Sequence, residues 1–139
     1  MGSSLKHTSE CFHQATKITS AIAAGTNVEI VPSSANGRRI YGIAVFNDNN
    51  SIQPLRFFLV NGGEQYVAFT ISAALGAGTN GSTNSEDAFD DNNAAPLMRK
   101  RLDANGNAYF DLPAGWSIEM EYYVALSGST TIHAFGETY

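Results

Sequence analysis

Cysteine is nearly absent from this chain of 139 residues: Cys11 stands alone, so no internal disulfide can form, and a reducing, cytosolic folding environment is the simple expectation. No positive charge flanks Cys11 closely enough to favour a thiolate. Charge is also scarce, at 15% of residues, and cations are the minority, with eight Lys and Arg against thirteen Asp and Glu. A net charge of -5 argues against general nucleic-acid binding, which needs cations to displace phosphate counterions. No apolar run reaches the roughly 18 residues of a membrane-spanning helix, so no membrane partner is expected. The first twenty residues carry Lys6, His7, Glu10 and His13 and lack the apolar core of a signal peptide, so export by that route is not expected. Also missing are His-Glu-x-x-His, a cysteine pair, a Walker-type loop and Gly-x-Ser-x-Gly, and the expectation is a protein without enzymatic activity.

What is abundant is turn chemistry. Asn-Gly pairs stand at Asn36-Gly37, Asn61-Gly62, Asn80-Gly81 and Asn105-Gly106. Asn and Gly reach positive φ most easily, as two-residue hairpin turns require, so the chain reads as strands folded back by short turns. Residues 1–14 are polar and aperiodic and read as an extended arm, leaving 15–139 as one β domain.

Within that domain, β runs are expected at Ala15–Ile22, Thr26–Val31, Arg38–Phe46, Leu55–Val60 and Gln65–Ala73. In the last of these Val67, Phe69 and Ile71 share one face, opposite Tyr66, Ala68 and Thr70. Further runs are expected at Pro96–Asp103, Asn107–Leu112 and Thr130–Phe135. The cleanest alternation sets Trp116, Ile118, Met120, Tyr122, Val124 and Leu126 against Ser117, Glu119, Glu121, Tyr123, Ala125 and Ser127, which predicts one long strand. Apolar side chains on both faces of several runs suggest two packed sheets or a subunit contact. About eight or nine strands with short connections predict an antiparallel β-sandwich or jelly roll.

Between residues 74 and 93 the β pattern vanishes, and a loop of that length is usually functional or disordered. Its Glu86, Asp87, Asp90, Asp91 and Asn92 offer hard oxygens to Ca²⁺; the plainer reading is a solvated loop kept soluble by charge, or one that reaches a neighbouring subunit. No other cofactor is expected. Asp103, Asn105 and Asn107 resemble the start of an EF-hand loop, but the glycine falls at the fourth position and Ala114 stands at the twelfth, so a hairpin turn accounts for them.

Three histidines, His7, His13 and His133, are widely separated and show no triad signature. Arg99-Lys100-Arg101 is the one dense basic cluster; it would dock on an acidic protein surface or protect an edge strand from unwanted pairing. Together with Arg38, Arg39 and the arm's Phe12 it makes up the expected partner contact. Trp116, Tyr109, Tyr122 and Tyr123 raise a sugar-stacking platform, against which stands core packing beside Ile118 and Val124. Phe57/Phe58 and Tyr122/Tyr123, adjacent residues pointing to opposite faces, would add apolar surface for a subunit contact.

Two stretches resemble a known group. Arg38-Arg39-Ile40-Tyr41-Gly42-Ile43-Ala44-Val45-Phe46 resembles the second-strand region of small β-sandwich virion proteins of tailed bacteriophages, and Leu112-Pro113-Ala114-Gly115-Trp116-Ser117-Ile118 resembles their step into the final long strand. The resemblance implies a homotrimeric structural protein of the virion, most often a head decoration (cement) protein that bridges subunits of the major capsid protein. Such a protein is made in the host cytoplasm and ends on the capsid exterior. It carries over no catalytic or ligand residue. A tail or fibre module with a host-binding role, a carbohydrate-binding module and a β-sandwich hydrolase are the other readings.

Overall fold

The structure is a computed structural model that describes residues 9–73, 86–87 and 101–139. His7, Asn80-Gly81, Asp90, Asp91, Asn92, Arg99 and Lys100 lie outside the described residues, as does most of the 74–93 loop.

Among the described residues ten strands follow one another: β1 (Glu10–Ile18), β2 (Val28–Val31), β3 (Arg38–Asp48), β4 (Gln53–Asn61), β5 (Glu64–Ala73), β6 (Glu86–Asp87), β7 (Arg101–Leu102), β8 (Ala108–Leu112), β9 (Ser117–Tyr122) and β10 (Ser129–Thr138). One sheet runs β1-β10-β3-β8-β7, with β6 also paired to β3; the other runs β2-β9-β4-β5. All pairs are antiparallel. Setting the two-residue strands aside, β1 pairs with β10, β2 with β9, β3 with β8 and β4 with β5. That nesting, first with last and inward to a central hairpin, is what a long folded ribbon leaves when it is rolled into two sheets. The fold is therefore a jelly roll, one of the two sandwich forms the sequence predicts.

The sheets close on a core of Ile18, Ile30, Ile40, Ile43, Val45, Leu55, Phe57, Ile118, Met120 and Ile132, all fully buried. Three bulges decide which residues reach it. On β2 the register against β9 passes from Glu29↔Glu119 to Val31↔Ile118, and Ile30 and Val31 are both buried. On β3 the register against β10 shifts between Phe135↔Gly42 and Gly136↔Ile40, so Tyr41 is extra and both Ile40 and Ile43 face inward. On β5 the register jumps from Phe57↔Phe69 to Phe58↔Val67. The alternation predicted for Gln65–Ala73 breaks there: Phe69 and Ile71 are buried, while Val67 turns outward and is 53% exposed.

Three strand limits also differ from the sequence pattern. β1 begins at Glu10 and its residues Glu10 to Gln14 pair with β10, so the last five residues of the expected arm belong to the sheet. It stops at Ile18 because Thr19 starts a turn, its hydroxyl accepting from Ala21 N and its carbonyl from Ile22 N. The long strand predicted from Trp116 to Ser127 ends at Tyr122, after which the chain must cross to the opposite sheet to become β10. Tyr122 marks the break: its hydroxyl donates to Ile22 O and its carbonyl accepts from Gly25 N.

The Asn-Gly pairs act through glycine alone, since no described non-glycine residue has positive φ. Asn61 is the last residue of β4, and Gly62 (φ 59°) and Gly63 (φ 84°) form the two-residue β4–β5 turn. Gly37 ends a turn between β2 and β3, which lie in different sheets, so that turn joins no hairpin.

Asn47-Asp48-Asn49-Asn50, by sequence a polar loop, is partly interior. Asn47 and Asn49 are 0% and 4% exposed. Asn47 Nδ2 donates to Ser51 O and Ala73 O, and its Oδ1 accepts from Asn49 N and Nδ2. Asn49 in turn donates to Ser129 O and Thr130 Oγ1 and accepts from Gly128 N. Two side chains thus tie the β3–β4 loop to the end of β5 and the start of β10.

Candidate functional site

The outer face of the β1-β10-β3-β8 sheet carries an aromatic stripe that starts at Arg39. The Arg39 guanidinium lies 3.9 Å over the Tyr109 ring and 5.9 Å from that of Tyr139, and pairs with Asp111 through Nε (3.0 Å) and a second nitrogen (3.3 Å). Tyr139 OH donates to the same carboxylate. The Asp111 bond is the main reason the guanidinium is held in its charged form, while burial and Asp111 push the Tyr139 hydroxyl pKa up. Tyr41 meets Tyr109 edge-on at 6.4 Å.

Further along, the Phe135 ring covers the backbone of Gly42 and remains 43% exposed. Tyr41, Phe135, Asn107 and Ala108 line an open depression of about 480 Å³. The stripe ends where Phe46 stands edge-on to His133 at 5.1 Å and His133 meets His13 nitrogen to nitrogen, their ring centroids the same distance apart. Rigid aromatic groups with an arginine, on a sheet face, make a composition suited to protein contact.

The expected contact residues are divided by this architecture. Arg39 faces outward on the stripe. Arg38 faces inward, its guanidinium 4.4 Å over Phe12 and donating to Pro32 O and Thr138 Oγ1. Burial is the main influence on Arg38 and lowers its pKa. Phe12 packs beneath it against the core, so it clamps β1 within the fold and offers little to a partner. Arg101 lies exposed on the edge strand β7, opposite Tyr109 in register, which puts it and Arg39 on the same face with Tyr109 between. Of the other apolar pairs, Phe57, Phe58 and Tyr122 are buried; Tyr123 is 37% exposed beneath Arg56.

A second concavity opens at one end of the sandwich. Leu59, Tyr66, Phe110, Asp111, Pro113 and Trp116 line a cavity of about 320 Å³. Trp116 leans on Tyr66 with ring centroids 5.8 Å apart. Its polar member, Asp111, is already engaged by Arg39, so the walls offer an apolar side chain more than they offer a sugar.

Asp103 behaves as the hairpin reading requires. Its carboxylate accepts from Asn105 N and Asn107 N, each at 2.9 Å, and closes the β7–β8 turn. The described part of the acidic loop is Glu86–Asp87, whose backbone pairs with Val45 and Ala44 of β3. Among the described residues no cluster of three or more His, Cys, Asp or Glu forms a metal cage.

The stripe was poorly legible in the sequence because its members come from β1, β3, β8, β10 and the carboxy-terminal Tyr139. The one local signal was Tyr41 and Phe46 beside inward isoleucines. No protein-family description matches the chain, and no curated protein matches it. Among solved structures it is similar to the crystal structure of the SPBc2 prophage-derived protein YomS, at 16% identity over 91% of this chain and 96% of that one, with a TM-score of 0.39.

Proposed function

We propose that this chain is a non-enzymatic structural protein of a bacteriophage virion, a decoration protein that sits on the capsid exterior, bridges subunits of the major capsid protein and assembles as a homotrimer. The observation that carries the reading is the outer aromatic stripe from Arg39 to Phe46, with Phe135 43% exposed at its centre. A stiff jelly roll with one aromatic, arginine-anchored face can add contact area between subunits without opening its own core. The two stretches that resemble phage virion proteins support it further. They are neighbours in space, Arg38 pairing with Leu112.

Light scattering on the purified chain, on a truncation ending before Glu10 and on Phe135→Ser tests the reading. A trimer that survives truncation and dissociates in Phe135→Ser supports it and places the contact on the stripe. A monomer that also fails to co-sediment with capsid shells overturns it.

A further inference from the structure

His13 and His133 lie on adjacent strands at one end of the first sheet, where β10 is the only strand paired with β1 among the described residues. In register they are diagonal, His13 opposite Phe135 and His133 opposite Ala15. Their rings nonetheless meet on the outer face, 21° from parallel, with His13 Nε2 and His133 Nδ1 2.8 Å apart. Two ring nitrogens at that distance share one proton, so one of them presents a lone pair toward the other. Phe46, edge-on to His133, limits how that ring can turn.

We propose that these two nitrogens form a binding site for a borderline divalent transition-metal ion, Zn²⁺ above all. Imidazole nitrogen suits Zn²⁺ and is a poor ligand for Ca²⁺ or Mg²⁺. A tetrahedral ion bound at about 2.0–2.1 Å to each nitrogen holds them about 3.4 Å apart, so the nitrogens need to separate by about half an ångström and the rings to tilt from their head-on alignment until both lone pairs meet at the ion. His13 is exposed and free to make that adjustment. On binding, the ion takes the place of the shared proton, the ring that carried it takes up a proton on its other nitrogen so that both imidazoles stay neutral, and water completes the coordination shell. Cys11 and Glu137, paired with each other nearer the strand ends, are the other donor-bearing residues of β1 and β10 on that side, and the two-histidine site stands without them. Bound there, the ion links the edge strand β1 to β10 by a side-chain bridge, in addition to the backbone ladder.

Calorimetric titration of the full chain with ZnCl₂, paired with amide hydrogen exchange, tests this. The expected result is saturable binding of one ion per chain, slowed exchange across residues 10–18, and no response to CaCl₂. His13→Gln and His133→Gln should each lose both signals, while His7→Gln keeps them. Circular dichroism establishes that the variants are folded, and His13→Gln, at an exposed position, decides the matter if His133→Gln unfolds. Zn²⁺ binding that persists in His13→Gln, or the absence of saturable binding in the unaltered chain, overturns the proposal.

Discussion

The Phe135 ring occupies the space that a side chain at Gly42 would need: a β-carbon there would sit 2.4 Å from Phe135 Cζ. Because the obstacle is the far end of a half-exposed side chain, it can swing away. Gly42→Ala should therefore cost only about 1 kcal/mol in urea unfolding, and the cost should shrink when Phe135 is also replaced by alanine.

Gly136 gives the opposite result. A β-carbon there would lie 1.9 Å from the Arg39 carbonyl oxygen, and backbone cannot step aside without parting β10 from β3. Gly136→Ala should cost about 3 kcal/mol or more, read as a lowered urea midpoint. A loss comparable to that of Gly42→Ala would contradict the packing described at the bulge.

Asn47→Ala removes the acceptor for two Asn49 donors and the donor to Ser51 O and Ala73 O, all in the interior. Stranded buried polar groups of this kind cost about 1–3 kcal/mol each, so the variant should melt well below the parent. Asn50→Ala is the control: only its backbone N–H is bonded here, to Ser127 Oγ, and the substitution keeps that group.

Arg38→Lys should destabilise by about 1–2 kcal/mol, since an ammonium cannot reproduce a planar guanidinium stacked on Phe12 while donating to Pro32 O and Thr138 Oγ1. Differential scanning calorimetry would show it, and faster exchange in β1 would locate it.

Asp103 sets a pH dependence. Its pKa is lowered by the hydrogen bond from the Asn107 backbone first, with Asn105 adding to it. A carboxyl depressed on folding contributes stability that is fully present above its unfolded pKa of about 3.9 and is lost as pH falls through the folded value. Loosening of the β7–β8 turn should thus appear only below that range. Asn105 and Asn107 amide shifts followed by NMR report it directly, and Asp103→Ala should abolish the transition.

Much of the architecture was legible from local pattern. The β-branched and aromatic run at Arg38–Phe46 is β3, and the turn glycines Gly37, Gly62 and Gly106 mark changes of chain direction. Local pattern failed where the partner strand set the outcome. Trp116 to Ser127 alternates without a break, yet the ladder against β4 ends at Leu55↔Tyr122 because the chain is required in the other sheet. The bulges at Tyr41 and in β5 left no mark of their own, because an extra residue is defined only by the strand opposite.

For the candidate site the division is sharper. That Arg38 and Arg39 would point to opposite faces follows from the strand period of two. Which of them met the core and which met the stripe depended on β1 supplying Phe12 and β8 supplying Tyr109 and Asp111. The sequence by itself determined a β domain with turns at its glycines, because φ preference and alternation act between near neighbours in the chain. Only the tertiary structure decided the jelly-roll order, the buried Asn47–Asn49 link and the meeting of His13 with His133. Each of these joins groups far apart in sequence, and they come together only when the core draws the strands into register.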